Sequence, residues 1–133
     1  MKILKFYVFF FLMSFLAATA SAASEQVRFP KQICDEYSIR PCDVKSVDAY
    51  SEVDLNGDGK KEIIFAYDGG SCGEQHYVYT QKNDKWVQLA NWCGMDGGAY
   101  KVLPSKHNGH LDIDTNFGVI RFNGKSYPNT TKK

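Results

Sequence analysis

Residues 54–67 read DLNGDGKKEIIFAY, and this stretch decides the fold. Its second half, EIIFAY at residues 62–67, is a run of aliphatic, β-branched and aromatic residues with the length of one strand. Such a run is typical of a central, buried strand. Its first half combines two glycines with several side chains that carry oxygen. The stretch therefore predicts a polar loop that leads directly into the middle of a β-sheet.

The loop has the pattern D-x-N-x-D-G-x-x-E over residues 54–62. Calcium takes six to eight oxygen ligands, and a tight loop delivers them at alternate positions. Here side-chain oxygens stand at positions 1, 3 and 5, a glycine at position 6 permits the sharp turn, a main-chain carbonyl serves position 7 and a carboxylate closes the cage at position 9. The predicted Ca²⁺ ligands are Asp54, Asn56, Asp58, Lys60 and Glu62.

The loop differs from an EF-hand at its C-terminal end. An EF-hand places a glutamate at position 12 and continues as a helix, whereas position 12 here is Phe65 within the predicted strand. A turn that binds no ion is the alternative interpretation. It explains Gly57 and Gly59 but not the spacing of the carboxylates, which favours calcium. Magnesium is disfavoured because it seldom binds in a cage made only of protein ligands.

This arrangement resembles the calcium loops of FG-GAP and VCBS-type repeats, in which the same ligand pattern runs straight into an aliphatic strand. The later chain is similar to small exported bacterial proteins with one such loop, through the Gly-rich turn 69–73, the aromatic segment 77–79 and the Trp-led strand at 86–87. The likeness covers roughly residues 47–127. Because the chain has one loop and no internal repeat, the resemblance implies an isolated blade-like module and not a propeller.

The remaining strand signals predict an all-β chain, a small antiparallel sheet stack of sandwich or blade-like form with a disulfide-stapled N-terminal loop. About seven short strands are expected. They fall near residues 47–55, 62–67, 76–80, 86–90, 100–103, 110–114 and 119–122.

Several local details accompany this prediction. Residues 83–85 are expected to form a hairpin loop of the three-to-five-residue type, and Pro104 is expected to close the strand at 100–103. Asn123-Gly124 predicts a hairpin that leads towards Tyr127. Residues 33–44 are expected to be a stapled loop with one helical turn near 35–37.

The N-terminus predicts export. Lys2 and Lys5 precede an apolar run at residues 6–16 that is too short to span a bilayer, and Ala20-Ser21-Ala22 supplies a cleavage site. Residues 1–22 are thus predicted to be a signal peptide, 23–127 one domain and 128–133 a flexible tail. The expected location is periplasmic or secreted, without membrane insertion after cleavage.

The charge of the predicted mature chain is close to neutral. Removing 22 of the 133 residues leaves 111, with 14 of the 16 basic side chains and all 15 acidic ones, for a net charge of −1. This balance argues against nucleic acid as a partner, since nucleic-acid binding proteins present a basic surface.

Four cysteines, Cys34, Cys42, Cys72 and Cys93, all lie in the predicted mature part. An even number in an exported chain indicates two disulfides, for which three pairings exist. We favour Cys34–Cys42 with Cys72–Cys93. A zinc site is the alternative, but the spacings contain no CxxC pair.

The sequence contains no evident catalytic set. His76, His107 and His110 have no spacing that links them to Asp112 or Asp114 in a known site. The prediction is a non-catalytic, calcium-stabilised binding module whose partner is another exported protein, for example an inhibitor or immunity-type protein. A small calcium-dependent hydrolase is the alternative, and an adhesion or envelope-structural module is the second. The identity of the partner and the oligomeric state stay open.

Overall fold

The computed structural model describes residues 29–94 and 99–128. The predicted signal peptide and residues 129–133 of the predicted tail lie outside this range. The chain forms one short helix, α1 (Lys31–Tyr37), and seven strands in the described part. The strands are β1 (Asp48–Val53), β2 (Glu62–Asp68), β3 (Glu74–Lys82), β4 (Lys85–Cys93), β5 (Lys101–His107), β6 (His110–Thr115) and β7 (Gly118–Ile120). The all-β prediction is confirmed.

The strands form two antiparallel sheets. The first has the order β1-β2-β3-β4 and the second β5-β6-β7, so each strand pairs with its neighbour in sequence. Ile64 on β2 stands opposite Val78 on β3, which in turn stands opposite Ala90 on β4. These side chains pack with Ile113 of β6 in one buried cluster. The sheets are therefore stacked face to face, as the sheet-stack prediction required.

Strand β2 is buried on both of its faces. Ile64 packs in the cluster between the sheets, whereas Ile63 and Phe65 belong to a second cluster on the opposite face. That second cluster includes Phe29 and Ile33 from the N-terminal segment. This double burial is the physical reason that the run at residues 62–67 is continuously apolar instead of alternating.

The N-terminal segment covers the outer face of the four-stranded sheet. Ile33 and Cys34 of α1 are buried, and the side chain of Gln32 exchanges hydrogen bonds of 2.9 Å with the main chain of Trp86 on β4. Helix α1 spans seven residues, so the expectation of a single turn at 35–37 underestimated it. Contacts of Ile33 with the sheet stabilise a helix that is too short to be stable alone.

Both favoured disulfides are present. Cys34 is bonded to Cys42 and Cys72 to Cys93, with Cα–Cα distances of 5.7 and 5.6 Å. The first bond closes the predicted stapled loop. The second joins the turn before β3 to the end of β4. Two disulfides indicate that the chain folds in an oxidising compartment.

Two hairpins use the same tight turn. Asn83 and Asp84 both have positive φ, 47° and 60°, and link a directly paired Lys82 and Lys85. This is a two-residue turn, so the expectation of a three-to-five-residue loop was wrong. Asn and Asp tolerate the left-handed conformation that such a turn requires. Asn108-Gly109 makes the equivalent turn between β5 and β6, where the sequence analysis did not place one.

Two further expectations were also wrong. Pro104 does not end its strand, because β5 is an outer strand with an irregular register between Val102 and Lys106, where a missing N–H is tolerated. Asn123-Gly124 does form a turn, but no second strand returns along β7 in the described part of the chain. The chain crosses instead to the other sheet, where the Tyr127 N–H donates to the Leu89 carbonyl at 2.8 Å.

Of the residues that the structure describes, none belongs to a helix with the length and apolar character needed to span a bilayer.

We expect the variant Phe65→Ala to lower the free energy of unfolding by about 3–5 kcal/mol, because it leaves a cavity in the cluster under α1. Urea denaturation measures this effect. Val87→Ala is the matched control, since Val87 is 40% exposed and its truncation should change stability by less than about 0.5 kcal/mol. Equal losses in the two variants would contradict the burial of β2 on both faces.

Candidate functional site

Asp54 organises the first half of the predicted calcium loop with both of its carboxylate oxygens. Its Oδ1 accepts hydrogen bonds from the N–H groups of Gly57 at 2.7 Å and Asp58 at 3.2 Å, and its Oδ2 accepts from Gly59 at 2.9 Å. These main-chain donors, that of Gly59 first, hold the pKa of Asp54 below its usual value, although desolvation opposes them. A negative charge is therefore fixed inside the turn at neutral pH.

The next two polar side chains continue this pattern. Asn56 Oδ1 accepts from the Asp58 N–H at 2.9 Å, and Asp58 Oδ1 accepts from the Lys60 N–H at 2.7 Å. Gly57 and Gly59 have φ angles of +78° and +83°, a conformation that side chains with a Cβ rarely adopt. The glycines thus let three oxygen-bearing side chains lie along one short turn.

Glu62 lies at the base of the loop and is only 1% exposed. Its Oε2 accepts a hydrogen bond of 2.8 Å from the Leu55 N–H, and its Oε1 accepts one of 2.8 Å from the Thr80 hydroxyl. The carboxylate therefore ties the loop to both β2 and β3. Each oxygen keeps a second lone pair, which leaves it able to bind a cation as well.

Leu55 fastens the loop to the second sheet. Its side chain is fully buried between the sheets, and its carbonyl accepts a hydrogen bond of 2.8 Å from the Leu111 N–H on β6. The same region brings a cation to the loop, since a Cβ on Gly57 would lie 3.8 Å from Lys106 Nζ. This ammonium adds positive charge near the turn, but it forms no salt bridge with a loop carboxylate among the described residues.

The donor types fit calcium, because carboxylates, an amide oxygen and a main-chain carbonyl are the hard ligands that this ion prefers. Within residues 29–94 and 99–128, no group of three or more His, Cys, Asp or Glu side chains is arranged to hold a metal ion. Asp58 lies in the exposed part of the turn, whereas Glu62 is buried at its base. Calcium binding by this loop stays a prediction.

The sequence analysis missed a polar cluster around Asp112, which is buried on β6. Its Oδ2 accepts from the Ser105 hydroxyl at 2.7 Å, its Oδ1 lies 2.8 Å from His107 Nδ1, and Arg121 Nε lies 3.9 Å away. Burial would raise the pKa of Asp112, but Ser105, His107 and Arg121 together hold it below the usual value. The pairing of β5 with β6 brings Ser105 and His107 to Asp112, and Arg121 directly follows β7, so sequence spacing offered no signal.

This cluster is not a Ser-His-Asp triad. In such a triad the histidine stands between the serine and the aspartate and removes the hydroxyl proton. Here Asp112 stands between Ser105 and His107, and the Ser105 hydroxyl donates to the carboxylate. The His107 side chain is 48% exposed, whereas the Asp112 side chain is 2% exposed. The geometry therefore positions a surface imidazole and gives the hydroxyl no base.

The other two histidines lie in different environments. His76 on β3 is 1% exposed and stacks on Trp92 of β4, with ring centroids 5.1 Å apart. His110 stacks on Phe122 at 3.7 Å. Asp112 thus has a hydrogen bond to His107, and neither His76 nor His110 forms one with Asp112 or Asp114 among the described residues.

Comparison of the chain with protein-family models, with curated proteins and with solved structures gave no match. The assignment of the candidate site therefore rests on its geometry and chemistry.

We expect Thr80→Val to lower the free energy of unfolding by about 1–3 kcal/mol in calcium-free buffer, because one oxygen of the buried Glu62 carboxylate loses its donor. Thr80→Ser, which keeps the hydroxyl, is the matched control and should cost less. Urea denaturation of both variants measures the difference. Equal stability of Thr80→Val and the parent chain would contradict the bracing role of Glu62.

The Asp112 cluster predicts a pH dependence. Because the pKa of Asp112 is lower in the folded chain than in the unfolded chain, its stabilising effect is complete above the unfolded pKa, near 3.8, and is lost as the pH falls through the folded value. At pH 7 we expect Asp112→Asn to lower the free energy of unfolding by about 2 kcal/mol. This difference should shrink below about pH 4.

Urea denaturation between pH 2.5 and pH 7 measures this dependence. Asp84→Asn is the control, since Asp84 is exposed in the β3–β4 turn, where asparagine also tolerates the positive φ. A constant difference between the parent chain and Asp112→Asn across this pH range would exclude a lowered pKa.

Proposed function

We propose that the chain is a non-catalytic, calcium-stabilised binding module that is exported to the periplasm or beyond the cell and binds another exported protein. An inhibitor or immunity-type protein is the specific form that we favour. The observation that carries the proposal is the loop at residues 54–62, with its fixed charges and its connection to both sheets.

Three features support calcium as the structural ion. The loop presents hard oxygen donors in the order that calcium loops use, and the resemblance to FG-GAP and VCBS-type loops points the same way. Its main-chain N–H groups fix the Asp54 carboxylate in the turn. Glu62 then connects the loop to β2 and β3. An ion held by this loop stabilises the sheet stack and, through Leu55, the contact between the sheets.

Two features support binding over catalysis. His76 stacks on Trp92, and His110 stacks on Phe122. In the Asp112 cluster the acid and the hydroxyl are joined without a base between them. A calcium-dependent hydrolase requires a nucleophile activated by such a base or by the metal, and an activated serine is not formed by this cluster.

The proposal of an adhesion or envelope-structural module requires a large exposed apolar patch. Over the part of the chain that the structure describes, Val87 is the one large apolar side chain with high exposure. A soluble partner that is recognised through polar and aromatic groups accords better with this surface.

Thermal unfolding in calcium and in EDTA tests the metal. At a calcium concentration about 100 times Kd we expect a stabilisation of about 2.7 kcal/mol, which raises Tm by about 10 °C in a domain of this size. Magnesium at the same concentration should raise Tm less. An identical Tm in calcium and EDTA, with no ion retained after dialysis, would remove calcium from the proposal.

Asp58→Asn locates the ion. The variant keeps an amide oxygen that can accept the hydrogen bond from the Lys60 N–H but removes one negative charge from the turn. We therefore expect Asp58→Asn to fold, and to lose most of the calcium-dependent rise in Tm. Asp84→Asn, with the same change of charge at a distant turn, should keep the full rise. Loss in both variants would exclude the loop as the binding site.

Affinity capture from envelope extracts, with and without chelator, tests the proposed partner. We expect the protein with calcium to retain a defined exported protein, and Asp58→Asn to retain less of it. Capture that is equal with calcium and with chelator would separate the partner surface from the calcium loop.

A further inference from the structure

The β3–β4 hairpin ends in four side chains that share one face of the sheet. Thr80 pairs directly with Val87, and Lys82 pairs directly with Lys85. Directly opposed residues of antiparallel strands point to the same face, and so do residues two apart on one strand. We call Thr80, Lys82, Lys85 and Val87 the hairpin patch. It shares no residue with the loop at residues 54–62.

The hairpin patch continues the face of the four-stranded sheet that carries Val78, which is buried in the cluster between the sheets. Thr80, two residues further along β3, is still buried and donates to Glu62. Val87 opposite Thr80 is 40% exposed, and Lys82 and Lys85 are exposed. The buried part of this face therefore ends at Thr80, and the other three side chains are accessible to a partner.

Lys82 and Lys85 place two like charges in direct opposition, which destabilises a hairpin. Neither ammonium forms a salt bridge, with Asp84 of the connecting turn or with any other carboxylate in the part of the chain that the structure describes. Protection of a sheet edge accounts for Lys85 on the outer strand β4 but not for Lys82 on β3, which lies between β2 and β4. The hairpin thus carries positive charge that the fold does not require.

Two more lysines add to this charge. Lys60 and Lys61 are exposed and immediately precede Glu62, and the hydrogen bond from Thr80 to Glu62 places them at the same end of the sheet. They form no salt bridge among the described residues, the loop carboxylates included. Four lysines therefore gather at one end of the sheet, although the predicted mature chain has a net charge of −1. Such a local excess attracts an acidic partner.

Val87 supplies the apolar part of the patch. It is the large apolar side chain with high exposure in residues 29–94 and 99–128, and it lies on the same face as the opposed lysines. An apolar contact with charged groups around it is the arrangement of a protein interface, in which the centre is apolar and the rim is polar. The uncompensated charge and the exposed apolar side chain are independent features, and both fall on this one face.

We propose that the hairpin patch binds a segment of the partner protein in which acidic side chains flank an aliphatic one. The partner carboxylates pair with Lys82 and Lys85 and remove their mutual repulsion, while the aliphatic side chain packs on Val87. A single apolar side chain does not supply the broad apolar face that inserts into a lipid surface, which favours a protein segment as the occupant. The assignment rests on the proposed function in one respect, namely that the partner is a protein.

Short peptides test the assignment. The probe is a pentapeptide with the order glutamate, leucine, glutamate between two serines, and its controls carry glutamine for glutamate or alanine for leucine. NMR signals of Lys82, Lys85 and Val87 report on binding. We expect saturable shifts with the acidic peptide, weaker binding with the alanine control and no shifts with the glutamine control.

Two results of the peptide titrations would overturn the assignment. Equal shifts with the glutamine control would exclude charge as the basis of recognition. Heparin or vesicles of phosphatidylglycerol that shift the same signals, when the acidic peptide does not, would replace the protein segment by a polyanion or a membrane surface.

Substitutions in the patch test the individual side chains. We expect Lys82→Gln and Lys85→Gln each to weaken binding of the acidic peptide by about two- to fivefold, as is typical of exposed ion pairs. Val87→Ala should weaken it by about two- to fourfold, because apolar contact area is lost. Lys45→Gln is the matched control, since Lys45 is exposed and precedes β1, which begins opposite Ala66 near the other end of β2. Equal weakening by the control would show a general charge effect and overturn the site.

The thermal stability of the same variants tests the repulsion. Because the two ammonium groups repel each other, we expect Lys85→Gln to raise Tm, whereas Lys45→Gln should leave Tm unchanged. A higher Tm together with weaker peptide binding is a result that a purely structural role of Lys85 would not give. A lower Tm would show that Lys85 stabilises the hairpin and would overturn the patch as a docking surface.

Titrations in calcium and in EDTA separate this proposal from the proposed function. Peptide binding together with a calcium-independent Tm would leave the hairpin patch in place and remove the calcium brace. A calcium-dependent Tm without peptide binding would remove the patch and leave the brace. Affinity capture with the double variant of Lys82→Gln and Lys85→Gln should retain less of the exported partner, and undiminished capture would place the partner surface elsewhere.

Discussion

The structure depends on one buried carboxylate. Glu62 accepts hydrogen bonds from the Leu55 N–H, at the start of the loop, and from the Thr80 hydroxyl on β3. Leu55 in turn accepts a hydrogen bond from Leu111 on β6. A carboxylate in the interior is tolerated only when donors satisfy it. These few bonds therefore link the loop, the four-stranded sheet and the three-stranded sheet.

Two apolar clusters and two disulfides accompany these hydrogen bonds in stabilising the two stacked sheets. The cluster between the sheets is apolar, and so is the cluster between the first sheet and α1, where the Cys34–Cys42 bond holds the N-terminal segment. The Cys72–Cys93 bond joins the turn before β3 to the end of β4. The loop at residues 54–62 thus belongs to a domain that two disulfides cross-link, which reduces the conformational freedom of the unfolded chain.

The Asp112 cluster contains the residue types of a catalytic triad, but its hydrogen bonds do not connect them in the way that catalysis requires. Ser105, His107 and Asp112 are the residue types of a triad, and two of them approach Asp112 within hydrogen-bond distance. Because Asp112 lies between Ser105 and His107, the hydrogen bonds stabilise the buried Asp112 carboxylate and do not activate the Ser105 hydroxyl. Residue identity alone therefore does not distinguish a structural cluster from a reactive one.

The sequence by itself determined the buried central strand, the all-β class and the approximate number of strands, because hydrophobic period and turn residues are local properties. It left three disulfide pairings open, and the structure confirms the favoured one. It also predicted the polar loop at residues 54–62, whose calcium ligands stay a prediction. The tertiary structure alone decided that Glu62 bonds to Thr80, that Pro104 stays within an outer strand and that His107 meets Asp112. Each of these depends on which strand lies next to which. Pairing register is a long-range property, and a shift of one residue would turn each of these side chains to the other face of its sheet.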